Sequence, residues 1–329
     1  MHMADALVSP AVAASLYVAS TALAAYSIKK VREENNPRKI PLMGIMGAFV
    51  FAAQMLNFTI PGTGSSGHLC GSLLLAALLG PHAAFLTMIG ILTIQCLLFA
   101  DGGLLALGCN IWNMAFYGCF VGGLLIWRPL KRHGLSKSRI ILASVLGSIL
   151  SLQLGSLSVV LETTASGITE LPFQLFAFTM QSIHLAIGAV EGGIIASVLL
   201  FIYRARPELL DNAAATEAGS LSFASTLAAL GTLTFFAAGV LSLHASENPD
   251  GLEWSLEKIA GTAELEGSGA VHELAAKLQE FTALLPDYAF KGSEGMLGTV
   301  ASGLLGSVLV LLLALGCCYA FKFFKHNQA

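Results

Sequence analysis

The chain has 329 residues, 55% of them hydrophobic and only 11% charged, with a formal net charge of -3. That balance describes an all-α, polytopic integral membrane protein. The small net charge leaves no general electrostatic case for a nucleic-acid partner.

The first ten residues read "MHMADALVSP" and carry no basic n-region, and no small-residue cleavage site precedes the charged stretch 28–39. The first helix is therefore expected to be retained rather than removed as a signal peptide. Methionine removal generally requires a small second residue, which His2 is not, so a free amine is expected beside His2. Apolar runs of spanning length, about 20 residues each, are read at 6–27, 41–58, 82–100, 104–127, 140–161, 172–203, 222–243 and 297–321. A shorter run at 69–80 ends at Gly80-Pro81.

Four clusters, "KKVREENNPRK" (29–39), "RPLKRHGLSKSR" (128–139), "RAR" (204–206) and "KFFKH" (322–326), hold fourteen of the 17 Lys and Arg residues. The positive-inside rule assigns all four to the cytoplasm. The chain must then cross an even number of times between residues 39 and 128, which requires the short 69–80 run to count as a crossing. Seven crossings up to residue 203 and two more afterwards follow, with the N-terminus outside and the C-terminus inside. The same parity puts "TIPGTGSSGHLCG" (59–71) outside, where its Gly and Ser residues permit tight turns and a close approach of His68 to another segment.

A free amine followed by histidine offers a metal three nitrogens. The Met1 amine, the deprotonated His2 backbone nitrogen and His2 Nδ1 close adjacent five- and six-membered chelate rings, with His68 a candidate fourth ligand. Planar nitrogen coordination points to Ni(II) or Cu(II), whereas structural zinc prefers a tetrahedral, thiolate-rich set. The six cysteines, Cys70, Cys96, Cys109, Cys119, Cys317 and Cys318, lie in apolar stretches without CxxC spacing. They read as small core residues.

Among intramembrane polar residues, His184 and Glu191 stand seven apart on one helix face, where an ionisable group must face protein. Packing within the bundle is their first reading, as it is for Gln54, Gln95, Asn110, Asn113 and Gln153. Asp101, in the outside turn "DGG", is placed to accept a hydrogen bond from a ligating histidine. Small residues at Ala11, Ser15, Ala19 and Ala22 form a stripe suited to close helix contact.

The segments "MHMADALVSP", "GSSGHLCG", "DGGLLALGCNIWNMAFYG" (101–118) and "IHLAIGAVEGG" (183–193) resemble the NikM/CbiM family, the substrate-capturing components of energy-coupling-factor transporters for nickel and cobalt. The resemblance runs through most of residues 1–204. It implies a square-planar site made by the Met1 amine, the backbone and side chain of His2, and His68. It also implies that the first helix helps dock a transmembrane coupling protein. The opening decapeptide looks more like the nickel branch, which makes Ni(II) the expected substrate and Co(II) the alternative, with no organic cofactor.

Beyond residue 204 a polar, Ala-rich stretch reads as a cytoplasmic linker (205–220). The remainder, 221–329, holds two hydrophobic helices around an outside loop (244–296) that carries ten of the 20 acidic residues. Within it, helices are expected at 252–260, opened by Asp250 and Gly251, and at 270–282. The acidic surplus reads first as a solvated surface. The segments "NPDGLEWSLEK" (248–258) and "LPDYAFKG" (285–292) resemble the accessory component, NikN or CbiN, of the same transporters, which implies help in metal loading.

No G-x-x-x-x-G-K-[ST] pattern occurs, so ATP hydrolysis is expected in a partner ATP-binding cassette subunit. Two competing readings carry less. A copper-handling protein would use Met1, Met3 and Cys70 for Cu(I), but Cys70 stands two residues from His68 and on a helix would point away from it. An intramembrane enzyme built on His184 and Glu191 would lack a nucleophile.

Overall fold

The computed structural model describes residues 1–34, 36, 39–210, 222–263, 265–292 and 296–326, the side chains of 317–326 excepted. The expected linker lies outside the described residues from 211 onward, as do the side chains of Cys317 and Cys318.

In chain order the elements are α1 (Pro10–Glu34), α2 (Lys39–Gln54), a hairpin of β1 (Phe58–Ile60) and β2 (Ser65–Gly67), α3 (Ser72–Leu79) and α4 (Pro81–Phe99). They continue with α5 (Leu107–Arg132), α6 (Lys137–Ser166), α7 (Phe173–Ala205), α8 (Phe223–Gly239), α9 (Gly251–Ala260), α10 (Ala270–Thr282) and α11 (Met296–His326). Among the described residues six helices are long and apolar enough to cross a membrane: α1, α4, α5, α6, α7 and the stretch Met296–Gly316 of α11. Helices α2 and α8 are apolar but shorter.

Two expected spans take a different form. The run at 6–27 becomes helical only at Pro10, whose missing N–H suits a first helical position. Residues 1–8 instead thread into the bundle, with Met1, Met3, Leu7 and Val8 buried. The run at 69–80 yields the eight-residue α3, about 12 Å long by its rise per residue and far short of a bilayer core of about 30 Å. All eight of its residues are buried, so their hydrophobicity serves the protein interior.

The hairpin pairs Phe58 with Gly67 and Ile60 with Ser65 in antiparallel register. The strand leaving it is not an exposed loop: Ser65, Ser66 and residues 67–71 are buried as the chain descends to α3. Helix α11 lies flush on α2, where a Cβ on Gly44 would stand 2.7 Å from Leu311 Cδ1 and one on Gly306 would stand 2.0 Å from Phe51 Cζ. The C-terminal third is thus packed onto the first two-thirds through side-chain interdigitation.

Gly71 joins hairpin to α3 with φ +78°, and a Cβ there would meet Val50 Cγ1 at 2.6 Å. Gly71→Ala is expected to destabilise the fold by about 1–3 kcal/mol through left-handed strain and overpacking together. A thermal unfolding midpoint in detergent equal to wild type would contradict this packing.

Candidate metal centre

Residues 1–8, which include a single 3-10 turn at Asp5–Leu7, are held inside the protein because their backbone groups find fixed partners. Asn110 Oδ1 accepts from Met3 N at 2.7 Å, while Met3 O accepts from Asn110 Nδ2 at 3.1 Å and from Gly103 N at 2.9 Å. Asp5 Oδ1 accepts from Ala106 N at 2.9 Å, and His272 Nε2 faces Val8 O at 3.0 Å. The segment is thereby fixed against the turn "DGG" and the start of α5, and the terminal amine is carried to the descending strand of the hairpin.

There the Met1 amine lies 3.2 Å from His68 Nε2. His68 Nδ1 faces Leu69 O at 3.2 Å, a group that only accepts, so Nδ1 bears the proton and Nε2 turns its lone pair toward the amine. Burial first, then the charges of the terminal ammonium and His2, push the His68 imidazole down to about 3. It is neutral at physiological pH, the form in which imidazole binds metal. The His2 and His68 rings stack with centroids 5.3 Å apart and planes 21° from parallel.

His2 is held from both sides. Its Nδ1 lies 2.9 Å from Asp101 Oδ1 and its Nε2 lies 3.2 Å from Gln95 Oε1. Tyr288, from the C-terminal third, donates its hydroxyl to Asp101 Oδ2 and receives Gln95 Nε2 at 3.3 Å. Burial raises the Asp101 carboxyl, but the His2 charge and the hydrogen bonds from His2 and Tyr288 outweigh it and leave it at about 2. Tyr288 adopts φ +58°, a region disfavoured for a bulky residue, and stacks on Phe99 at 4.9 Å. His2 Nδ1 is thus engaged with Asp101 in this structure.

A residue that the sequence reading treated as a helix opener sits at the centre. Asp250 Oδ2 forms an ion pair with the Met1 amine and stands 4.0 Å from His68 Nε2. Burial alone would raise this carboxyl; the terminal ammonium beside it holds it well below the usual carboxylate range.

The run Pro249–Glu253 shows why α9 begins there. Pro249 O accepts from Ser66 N at 2.8 Å. Asp250 Oδ1 caps the helix by accepting from Leu252 N at 2.7 Å and Glu253 N at 3.0 Å, and Glu253 Oε2 returns the favour to Asp250 N at 2.9 Å, a capping box. A Cβ on Gly251 would fall 2.9 Å from both His184 Cε1 and Ile187 Cδ1, so the backbone seats directly on α7. Leu252 is buried beneath.

His184 and Glu191 face the same strand but do separate work. His184 Nδ1 faces Met180 O at 2.8 Å, and its ring lines a small cavity with Met1, His68, Cys70, Met114 and Asp250. Glu191 accepts from Cys70 N and Gly71 N, each at 3.1 Å, and so anchors the strand that carries His68. Of the residues read as bundle packing, Gln153 joins α6 to α7 through Gln181 O at 2.9 Å and Gln54 holds Cys70 O at 2.8 Å. Gln95 and Asn110 instead position His2 and Met3. Cys70, Cys96, Cys109 and Cys119 are buried free thiols. Among the described residues no group of three or more His, Cys, Asp or Glu side chains is arranged to hold a metal.

The profile of the family described as "Cobalt uptake substrate-specific transmembrane region" matches residues 2–209. The chain belongs to this family. The profile of the "PDGLE domain" matches residues 224–323, and its five letters are those of Pro249–Glu253. A putative fused nickel transport protein NikMN of Archaeoglobus fulgidus is 34% identical over 95% of this chain and 96% of its own length. The fused nickel transport protein NikMN of Rhodobacter capsulatus is 31% identical over 94% and 95% respectively. A crystal structure titled as a truncated transition metal transporter superposes with a TM-score of 0.54 at 32% identity, covering 61% of this chain and 98% of that one. Family membership together with the six spanning-length helices makes this a multi-pass membrane protein of metal transport.

Glu191→Gln would set an amide N–H against one of two backbone N–H groups. We expect a loss of about 1–3 kcal/mol and a weaker metal site, since the strand bearing His68 loses its anchor. Thermal unfolding and metal titration of the purified variant check both; a change in neither would mean Glu191 does not hold the strand.

Proposed function

We propose that this chain captures Ni(II) from the extracytoplasmic side and serves as the substrate-binding component of an ATP-driven energy-coupling-factor transporter. One observation carries the reading: the Met1 amine stands 3.2 Å from His68 Nε2, with the His2 ring stacked against His68. The amine, the His2 backbone nitrogen, His2 Nδ1 and His68 Nε2 supply four nitrogens, a donor set that suits planar Ni(II). Asp101 guides the His2 ring. Cys70 Sγ points to Met114 O at 3.0 Å, which favours this nitrogen set over a Cu(I) thiolate.

Residues 1–204 form the capture module, 205–220 a cytoplasmic linker and 221–329 the accessory module, with the N-terminus and 244–296 outside. A transmembrane coupling protein and ATP-binding cassette ATPase subunits supply the driving force, consistent with the lack of a phosphate-binding loop in this sequence. The near full-length similarity to relatives named for nickel transport supports Ni(II) over Co(II).

Placing one alanine before Met1 converts the amine into an amide and shifts every chelate ring while leaving all side chains in place. Both this variant and His68→Ala are expected to lose about a hundredfold or more in Ni(II) affinity, beyond the loss typical of groups that only orient ligands. A C-terminal tag is expected to be harmless. Binding should strengthen with rising pH, because amine and amide give up protons on coordination. Titrations with Ni(II) and Co(II) across pH check this, and tighter Co(II) binding would reassign the substrate. For orientation, Ala270→Cys is expected to react with an impermeant thiol reagent added to intact cells; protection there would reverse the map.

A further inference from the structure

Helix α10 (Ala270–Thr282) lies at the end of the bundle that carries the metal centre, and its circumference divides into three sectors. His272 and Ala275 are buried against the protein, and Gln279 and Thr282 continue that face half-buried. Val271, Leu274, Leu278 and Phe281 follow the i, i+3, i+7, i+10 spacing of a single helix flank, and they are 47%, 58%, 49% and 85% exposed. Glu273, Lys277 and Glu280 occupy the remaining flank, also exposed. Contact with the protein accounts for the first sector and water for the third; the second is apolar and yet uncovered.

The height of the helix identifies what covers that flank. Gln279 Nε2 donates to Cys96 O at 3.0 Å and to Gly102 O at 2.7 Å, and Leu285 N donates to Leu98 O at 3.1 Å. Cys96 and Leu98 belong to the last turn of α4, where main-chain carbonyls lack partners within the helix. His272 Nε2 stands 3.0 Å from Val8 O, just ahead of α1. Both α1 and α4 are of spanning length, so α10 lies across their ends at the boundary between hydrocarbon and water. Exposed apolar residues continue past it at Leu284 and Phe290, then at Met296 and Leu297 at the head of α11, which also spans. A Cβ on Gly298 would stand 2.9 Å from Phe290 N, so Phe290 rests on the first turn of α11 and the apolar belt is continuous.

The composition of the flank selects lipid over a protein partner. It holds three aliphatic side chains and one phenyl ring, with no Tyr, Trp or Arg of the kind that anchors protein interfaces. The charged flank carries two acids and one lysine, so attraction to anionic headgroups does not drive the contact. We propose that α10 is an interfacial helix: Val271, Leu274, Leu278 and Phe281 insert into the leaflet on the side of the metal centre, while Glu273, Lys277 and Glu280 stay in water. The ends of α1 and α4 are thereby held level with that surface. The inference does not depend on which metal is carried.

The test uses the full chain in phosphatidylcholine nanodiscs without partner subunits. Single spin labels are placed through Leu274→Cys, Leu278→Cys, Phe281→Cys, Glu273→Cys, Lys277→Cys and Glu280→Cys, and the unsubstituted chain, labelled in parallel, gives the background of native thiols. All six positions are exposed, so each variant is expected to keep the wild-type thermal midpoint. Labels at 274, 278 and 281 are expected to be open to dissolved oxygen and shielded from a water-soluble chromium complex, about 5–10 Å into the headgroup boundary. Labels at 273, 277 and 280 are expected to show the reverse. Equal chromium access at all six positions overturns the proposal, even if a coupling protein covers the flank once added. Stripe labels shielded from both probes overturn it as well, since a second copy of the chain would then be the occupant. Leu274→Glu combined with Leu278→Glu is expected to return the label at 281 to the aqueous range; an unmoved label would mean that docking on α4, not the stripe, sets the depth, and the anchoring role fails.

Discussion

Burying a chain terminus imposes the condition that everything else at this site obeys. An ammonium group removed from water must be paired or become a ligand, because an isolated buried charge is among the costliest features a protein can carry. The Met1 side is 4% exposed, and its amine meets one carboxylate and one imidazole nitrogen. The path to that position is held by Asn110, Gly103 and Ala106, so the geometry at the amine depends on backbone hydrogen bonds several residues away.

The site is shared between the two parts of the chain. The first part supplies the amine, His2, His68, Gln95 and Asp101; the second supplies Asp250 and, through Asp101, Tyr288. Each residue of Pro249–Glu253 has a stated contact, whether with the hairpin, the amine, helix α7 or its own helix. The acidic surplus of the outside segment is therefore not uniform: the carboxylates of Asp250 and Glu253 are engaged in defined contacts, while Glu257 is exposed.

How much was legible in the sequence follows from the range of each signal. His2, His68 and Asp101 could be singled out because chelate spacing and turn composition are local, and the structure brings the three side chains together. The helices at Gly251–Ala260 and Ala270–Thr282 agree closely with 252–260 and 270–282, since a capping residue and an amphipathic period announce them. Asp250 was legible as a cap but not as a partner of Met1, because a contact across 249 residues leaves no periodic trace. Hydropathy does not distinguish burial in lipid from burial in protein: Met1, Met3, Leu7 and Val8 ahead of α1, and all of α3, are apolar because they lie inside the bundle. Gln95 looked like its neighbours in type and differs only in which ring it reaches.

Joining the hairpin and the segment 246–254 in one polypeptide changes what their contact must supply. Two separate proteins would need an interface strong enough to offset the loss of translational freedom on association. Here the second part is already held by α8 and α11 against α2, so its outer segment faces the hairpin at an effective concentration of about millimolar or higher. A handful of hydrogen bonds to Asn57, Thr63 and Ser66 is then sufficient for docking.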